Sequence, residues 1–434
     1  LRQCRKSPGF TAVVVLTLAL GLGANTAIFS IVNATFLRAL PYPQPDRLVQ
    51  VFESSPRWAK QSVSYPNFRD WQQAQDAFTQ LAIFRTDSAK LETTAGTERI
   101  TLGCVSAEFF ATLGVRAALG RDLAPEDDRE AAAPVAWLSH NLWQRTFAGS
   151  ADVIGRTVRL SGAPVTVAGV LPESFRFPRQ MDLVVPVAPY AEQTFLKMRS
   201  NHNGTEVIGR LKPGVSYEAA NAQIVAIAAR LAQDYPKDNA GISARLVPLH
   251  EQYTGSSRSK LLLLFGAVGL ILLIACVNIA NMLLARAGTR EREMAIRTSI
   301  GATPGMLLRQ LLTESVVLAL AGGALGLLFG AWGCEIARRL MPWELQNILG
   351  DSIGLDLRVL LFSGLLALLT GLSFGLLPAW LLARKAPGAA LKQTRTFVRT
   401  RFGRLHLPDL LVVAQVGLAL VLLVGAGLMI RSLW

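Results

Sequence analysis

Five apolar runs divide the chain: Phe10 to Phe36, Leu261 to Ala285, Leu311 to Ala337, Val359 to Ala383 and Leu410 to Ile430. A hydrocarbon core of about 30 Å takes about 20 helical residues to cross, so each run predicts one transmembrane helix. The first has Arg2, Arg5 and Lys6 before it, like a signal peptide. Its apolar run is too long for one and no small-x-small cleavage site precedes Leu37, so it reads as an uncleaved span. The pattern predicts a membrane α-helical protein with five transmembrane helices. A large α+β domain is inserted between helices 1 and 2.

That insert, residues 38–258, changes period. Arg47 to Glu53 alternates like a strand, Ser64 to Ala77 is helix-like, and Ala82 to Phe84 and Arg99 to Leu102 predict strands. Near its far end Glu206 to Leu211 reads as a strand. Ser216 to Asp234 follows with Ala220, Ile224, Ile227 and Leu231 at helical spacing, and Ile242 to Leu249 is again a strand. The outer parts, 38–103 and 188–258, thus predict a split βαβ layer. The middle part, 104–187, is richer in short strands such as Val158 to Leu160 and Val165 to Val170, and reads as an insertion. Its aromatic residues, Phe109, Phe110, Trp137, Trp143, Phe147, Phe175 and Phe177, could line a ligand surface, but core packing is the commoner use of such side chains.

Between the second and third runs, Ala285 to Pro304 is too polar for lipid yet regular enough for a helix. Glu293 and Arg297 sit at i and i+4 with the acid first, the favourable order for an ion pair. Thr303 can cap the next helix, with Pro304 at its first position. A short helix lying across the membrane surface here could receive a push from a soluble partner; taken alone, the same residues also read as a solvated charged loop.

The net charge of +14 changes meaning once it is located. Fifteen basic residues flank the spans in three short segments, before the first, between the second and third, and between the fourth and fifth; only Glu291, Glu293 and Asp409 oppose them. Arg38 to Arg258 holds 24 basic and 22 acidic residues, and Met341 to Leu357 holds no Lys or Arg. This is the asymmetry of short cytoplasmic loops, not a nucleic-acid surface. It places the N-terminus inside, and residues 38–258, the loop 341–357 and the C-terminus outside. A mean hydropathy of +0.34 agrees with membrane residence.

Little in the sequence points to catalysis. Cys4, Cys104, Cys276 and Cys334 form no Cys-x-x-Cys, and His140, His202, His250 and His406 are isolated, so neither metal nor cofactor is expected. None of the nine lysines follows a glycine, which excludes the Gly-Lys-Ser/Thr of a phosphate-binding loop. Within the spans, Gly322, Gly326 and Gly330 recur every fourth residue, as do Ser363, Ala367, Gly371 and Gly375. Small residues stacked on one face let backbones approach, which predicts helix contact faces. Polar span residues are few: Asn25, Asn278, Asn281, Glu314 and Glu335. The two acids lie near opposite ends of the third span, where interfacial partners are in reach, so no ion path is expected.

Several stretches resemble the MacB/FtsX-like permease family of ABC transporters, most closely its duplicated orphan subgroup. They are Leu20-Gly-Leu-Gly-Ala-Asn-Thr-Ala-Ile-Phe-Ser with Leu40-Pro-Tyr-Pro; Val153-Ile-Gly-Arg-Thr-Val; Leu211-Lys-Pro-Gly-Val-Ser; Arg292-Glu-Met-Ala-Ile-Arg-Thr-Ser-Ile-Gly-Ala; and Leu377-Pro-Ala-Trp with Arg384-Lys-Ala-Pro-Gly-Ala-Ala-Leu. The resemblance implies a cytoplasmic N-terminus and first helix (1–37), a periplasmic core domain (38–258) and a permease domain with helices 2 to 4 (259–395). It also implies a coupling helix that contacts a cytoplasmic ABC ATPase subunit. That helix maps onto residues 290–300, with Arg290, Glu291, Arg292, Glu293, Met294, Arg297 and Ile300 as its contact set. Residues 396–434 depart from a four-span unit by restarting it, with a basic stretch, a proline and a fifth span. With Leu at the first position, this suggests a truncated product or fragment of a duplicated permease.

The function expected is therefore a non-catalytic permease subunit in a bacterial inner membrane, coupling an ATPase to movement of the periplasmic domain for efflux or export. Its expected partners are that ATPase, membrane lipid and a second permease unit, either a homodimer mate or a fused second half. The alternative is a membrane-anchored periplasmic ligand sensor or regulator of a cell-envelope enzyme; against it stands the lack of a cytoplasmic signalling domain after any span. A membrane enzyme would need a nucleophile, base or metal constellation that the insert does not show. A secondary transporter would usually show broken helices and midplane charges.

Overall fold

The computed structural model describes residues 7–38, 40–93, 96–175, 177, 181–192, 195–202, 204–299, 303–340, 353–384, 397–400 and 403–433. Two compact units emerge. The membrane unit gathers Leu1–Arg38, Ser257–Met341 and Asp351–Trp434, and the globular unit is chiefly Ala39–Ser256.

Among the described residues of the membrane unit five helices are long and apolar enough to cross a bilayer: Pro8–Leu37, Arg258–Leu283, Leu312–Leu340, Leu357–Leu376 and Leu410–Leu428. They follow the five apolar runs closely, because an uninterrupted apolar run can satisfy its backbone in lipid only as a helix. They are called spans 1 to 5 below.

The globular unit is built on one ten-stranded sheet. Its first part is β1 (Leu48–Ser54), α1 (Tyr65–Ala74), β2 (Phe78–Thr93) and β3 (Gly96–Val105). Next come β4 (Leu119–Gly120), β5 (Val135–Leu138), β6 (Thr157–Leu160), β7 (Ala163–Val170) and β8 (Leu183–Pro186). The last part is β9 (Glu206–Leu211), α2 (Tyr217–Asp234) and β10 (Ser243–Pro248). Ser64 caps α1 by accepting from Asn67 N–H, and Ser216 caps α2 by accepting from Ala219 N–H.

Strands β10, β1, β9 and β2 lie side by side, antiparallel, so β9 runs between β1 and β2 as a split βαβ layer requires. Alternate residues serve opposite cores. Val49, Val51, Leu81 and Ile83 face Phe68 and Trp71 of α1 and Ile224 and Leu231 of α2, whereas Leu48, Ala82 and Phe84 face Phe109 and Phe177. Gly209 sits where a Cβ would lie 2.5 Å from Phe78, so only glycine lets β9 lie under that ring.

The sheet does not stop at β3. It continues through β8, β5 and β7, and β6 pairs with both β7 and the far end of β2, at Leu91 and Glu92. Strands β2, β3, β8, β5, β7 and β6 therefore close into a six-stranded ring. The sixteen-residue β2 belongs to both parts, its first half paired with β9 and its second with β6 and β3. Phe109, Phe110, Trp137, Phe175 and Phe177 are buried in one core, and Trp143 and Phe147 pack against the other.

The orientation read from charge has a direct test. In a cysteine-free background, a single Cys replacing exposed Gln73 of α1 should react with an impermeant maleimide on intact cells. One replacing Gln393 should react only after permeabilisation; the reverse pattern would overturn the orientation.

Candidate functional site

Span 1 packs against spans 2, 3 and 4. The small residues of span 3 meet it at backbone distance: a Cβ added at Gly322 would lie 2.6 Å from Leu18 Cβ, at Gly326 3.1 Å from Ala19 O, and at Gly330 2.9 Å from Thr26 Cγ2. From the other side, a Cβ at Gly23 would lie 2.9 Å from Gly326 O. Span 4 meets span 3 in the same manner. A Cβ at Gly371 would lie 2.8 Å from Ala319 Cβ, one at Gly375 2.7 Å from Ser315 Cβ, and Ala367 Cβ lies 3.0 Å from the Cβ position of Gly323. In lipid no hydrophobic force draws helices together, so such contacts act through dispersion and polar bonds.

Those polar bonds run along span 1. Asn25 Nδ2 donates to Val268 C=O of span 2 at 3.0 Å, and Thr26 Oγ1 lies 2.9 Å from Ser363 Oγ of span 4. One and two turns on, Ser30 bonds to Gly354 and Asn33 Nδ2 donates to Asp356 Oδ2 at 2.8 Å. Of these, the sequence reading singled out only Asn25 and Ser363. A signal for the rest existed in the i, i+4, i+7 spacing of Thr26, Ser30 and Asn33, which puts them on one helix face.

The charged segment after span 2 departs from expectation in form. One helix runs uninterrupted from Leu249 to Ser299, so Arg290 to Ser299 continues the helix of span 2 rather than forming a short separate helix across the surface. The physical reason is the lack of a breaker. Gly288 alone costs about 1 kcal/mol, and Arg, Glu, Ala and Met around it are strong helix formers. Ile300 lies outside the described residues, as do the side chains of Arg290, Glu291, Arg292, Glu293, Met294 and Arg297.

The globular unit holds a polar cluster that the sequence did not reveal. Glu53, at the end of β1, is 0% exposed. One carboxylate oxygen accepts from Asn67 Nδ2 at 2.7 Å and Ser64 N–H at 3.2 Å; the other pairs with His202 Nδ1. Asn67 exchanges two 3.0 Å bonds with Asn239. Arg199 donates to Asp70 at 2.7 Å while stacking over the Tyr235 ring at 3.7 Å. The bond to Glu53, and then its charge, raise the His202 pKa above its ordinary value despite partial burial. Burial pushes the Cys104 thiol up, which leaves it unreactive. Among the described residues no His, Cys, Asp or Glu group has the arrangement of a metal site.

Residues 11–227, half of the chain, match the profile of the MacB-like periplasmic core domain, and residues 265–387 match that of the FtsX-like permease C-terminal domain. The chain belongs to the MacB/FtsX-like ABC transporter permease family. It is a multi-pass membrane protein whose globular unit is the family's periplasmic domain. Among its relatives, the pyoverdine export ATP-binding/permease protein PvdT of Pseudomonas syringae pv. tomato is 28% identical over 274 residues, 61% of this chain and 39% of that protein. The macrolide export ATP-binding/permease protein MacB of Hahella chejuensis is 28% identical over 293 residues, 67% of this chain and 43% of that protein. A Bacillus subtilis protein, the uncharacterized ABC transporter permease YknZ, is 29% identical over 244 residues, 55% of this chain and 57% of that protein. The chain thus spans less than two thirds of the length of each of these relatives.

Proposed function

We propose that this chain is the permease part of an ABC-type exporter in a bacterial inner membrane, moved by a cytoplasmic ATPase and transmitting that movement to its periplasmic domain. The observation that carries the reading is the single helix Leu249–Ser299. It begins where β10 of the periplasmic domain ends, forms span 2, and continues into the Arg/Glu segment of the FtsX-like match. At 1.5 Å per residue such a helix is about 75 Å long, so the residues that follow β10, span 2 and the segment expected to meet an ATPase share one unbroken helix. The names of the relatives PvdT and MacB support export of a small molecule. The ATPase is a separate subunit in this reading, and a second permease unit completes the transporter.

The Arg/Glu segment is the place to test the reading. Reversing Glu293 and Arg297 to Arg and Glu keeps an i, i+4 pair worth about 0.5 kcal/mol but inverts the charges shown to a partner. Folding, judged by gel filtration and melting, should survive while association with the co-expressed ATPase falls at least about tenfold, the effect of roughly one charged contact. Full association in a folded variant would overturn the role of these residues. Equal loss of folding and association would reduce the segment to a structural brace.

A further inference from the structure

Span 1 does not end as an ordinary α-helix. After Val32 its backbone widens into a π-helical turn over Asn33–Leu37, closed by Arg38 N–H donating to Asn33 C=O at 2.9 Å. Such turns hold one residue more than the α-helix and recur where helices do work. The widened end lies against the turn that opens span 4, and three sets of bonds join the two. Ser30 Oγ donates to Gly354 C=O at 2.8 Å and accepts from Gly354 N–H at 3.0 Å. Asn33 Nδ2 donates to Asp356 Oδ2 at 2.8 Å, and Arg358 donates to Leu37 C=O at 3.1 Å.

Asp356 serves both helices at once. Its other carboxylate oxygen accepts from Val359 N–H at 2.9 Å and its C=O accepts from Leu360 N–H, capping span 4. A cap alone needs neither Ser30 nor Asn33, yet both are buried, at 0% and 1% exposure. Burying polar groups near a bilayer is costly unless they are bonded, so breaking one pair leaves its partner unsatisfied. The joint therefore favours being wholly made or wholly open.

We propose that this joint is a mechanical latch: Ser30, Asn33 and the Leu37 carbonyl of span 1 are held by Gly354, Asp356 and Arg358 at the head of span 4, and the π-turn is where span 1 yields under load. The latch makes the outer ends of spans 1 and 4 move together, just before span 1 leads into the periplasmic domain. Its use in a transport cycle rests on the exporter reading; its existence does not.

Amide hydrogen exchange on the full chain in nanodiscs tests it. Asn33→Ala leaves the span 4 cap intact, so faster exchange at residues 357–360 in that variant reports the joint alone. Asp356→Ala should speed exchange at residues 34–38 as well as 357–360. Each effect should be roughly tenfold, as for loss of one hydrogen bond to a charged group. The double variant should add little to Asp356→Ala, which already loses both cap and joint. Asp356→Asn should retain most protection, because its oxygen keeps the cap while its new amide N–H2 can be met by Asn33 Oδ1, which has no partner among the described residues, once that amide turns over. Exchange at 357–360 unchanged in Asn33→Ala, or an effect of Asp356→Ala confined to 357–360, would overturn the latch and leave Asp356 as a cap. If Asp356→Ala does not purify folded, Asn33→Ala decides by itself. Since no arm uses an ATPase, failure of the latch is separate from failure of the exporter reading, which would show as absent ATPase association.

Discussion

Replacing Gly326 by leucine should cost the membrane unit about 3 kcal/mol or more, at the upper end of overpacking penalties. A Cβ there already lies 3.1 Å from Ala19 O and 3.2 Å from both Gly23 N and Leu22 Cβ, so two of its nearest neighbours are backbone atoms that cannot swing away. Spans 1 and 3 would have to separate, and with them the seat of span 4 on span 3. Gly364→Leu is the control, because nothing lies within 4 Å of its Cβ position. Detergent melting of both variants checks the prediction. Equal stability would show that the Gly322, Gly326 and Gly330 face is not where the bundle is held.

The second large effect concerns Glu53. Glu53→Ala removes a buried carboxylate and leaves His202, Asn67 and Ser64 N–H without their acceptor. Breaking one side of such a pair typically costs about 3 kcal/mol or more, or about 6 to 12 °C in the melting of a domain of this size. The same cluster sets a pH dependence. Because pairing raises the His202 pKa, its stabilisation is complete below the unfolded value of about 6.5 and fades as pH rises through the higher folded value. The periplasmic domain should thus lose stability as the solution passes from slightly acidic to alkaline. In His202→Gln that part of the slope should be absent. An unchanged slope in the variant would show that the pair does not set it.

Much of the architecture was legible from local pattern. The strand Glu206–Leu211 and the helix Tyr217–Asp234 follow the alternation and spacing of their apolar residues almost residue for residue. β2 was harder, since only Ala82 to Phe84 announced it. Its second half, Arg85 to Thr93, is polar and buries chiefly Ala89 and Leu91, so its identity as a strand comes from pairing with β3 and β6. The charged segment at 290–299 was read as a separate helix because its polarity changes abruptly. Polarity reports the solvent, however, and only Gly or Pro reports a break.

For the candidate sites the division is sharper. The glycine spacing in spans 3 and 4 is visible in the sequence, but the identity of the facing helix is not. Thr26 and Ser363 are 337 positions apart, Asn33 and Asp356 are 323, and Glu53 and His202 are 149. The sequence by itself determined the five membrane helices and the strands and helices of the periplasmic domain's outer layer. Each follows from forces acting within one segment: backbone satisfaction in lipid and side-chain periodicity. Only the tertiary structure decided that residues 104–187 extend the same sheet and close it into a ring through β6 and β2, that span 1 packs against spans 2, 3 and 4, and that Glu53 is buried against His202. Periodicity states which face of an element seeks a partner. Which distant face answers depends on the shapes and polar groups of the whole chain packed together.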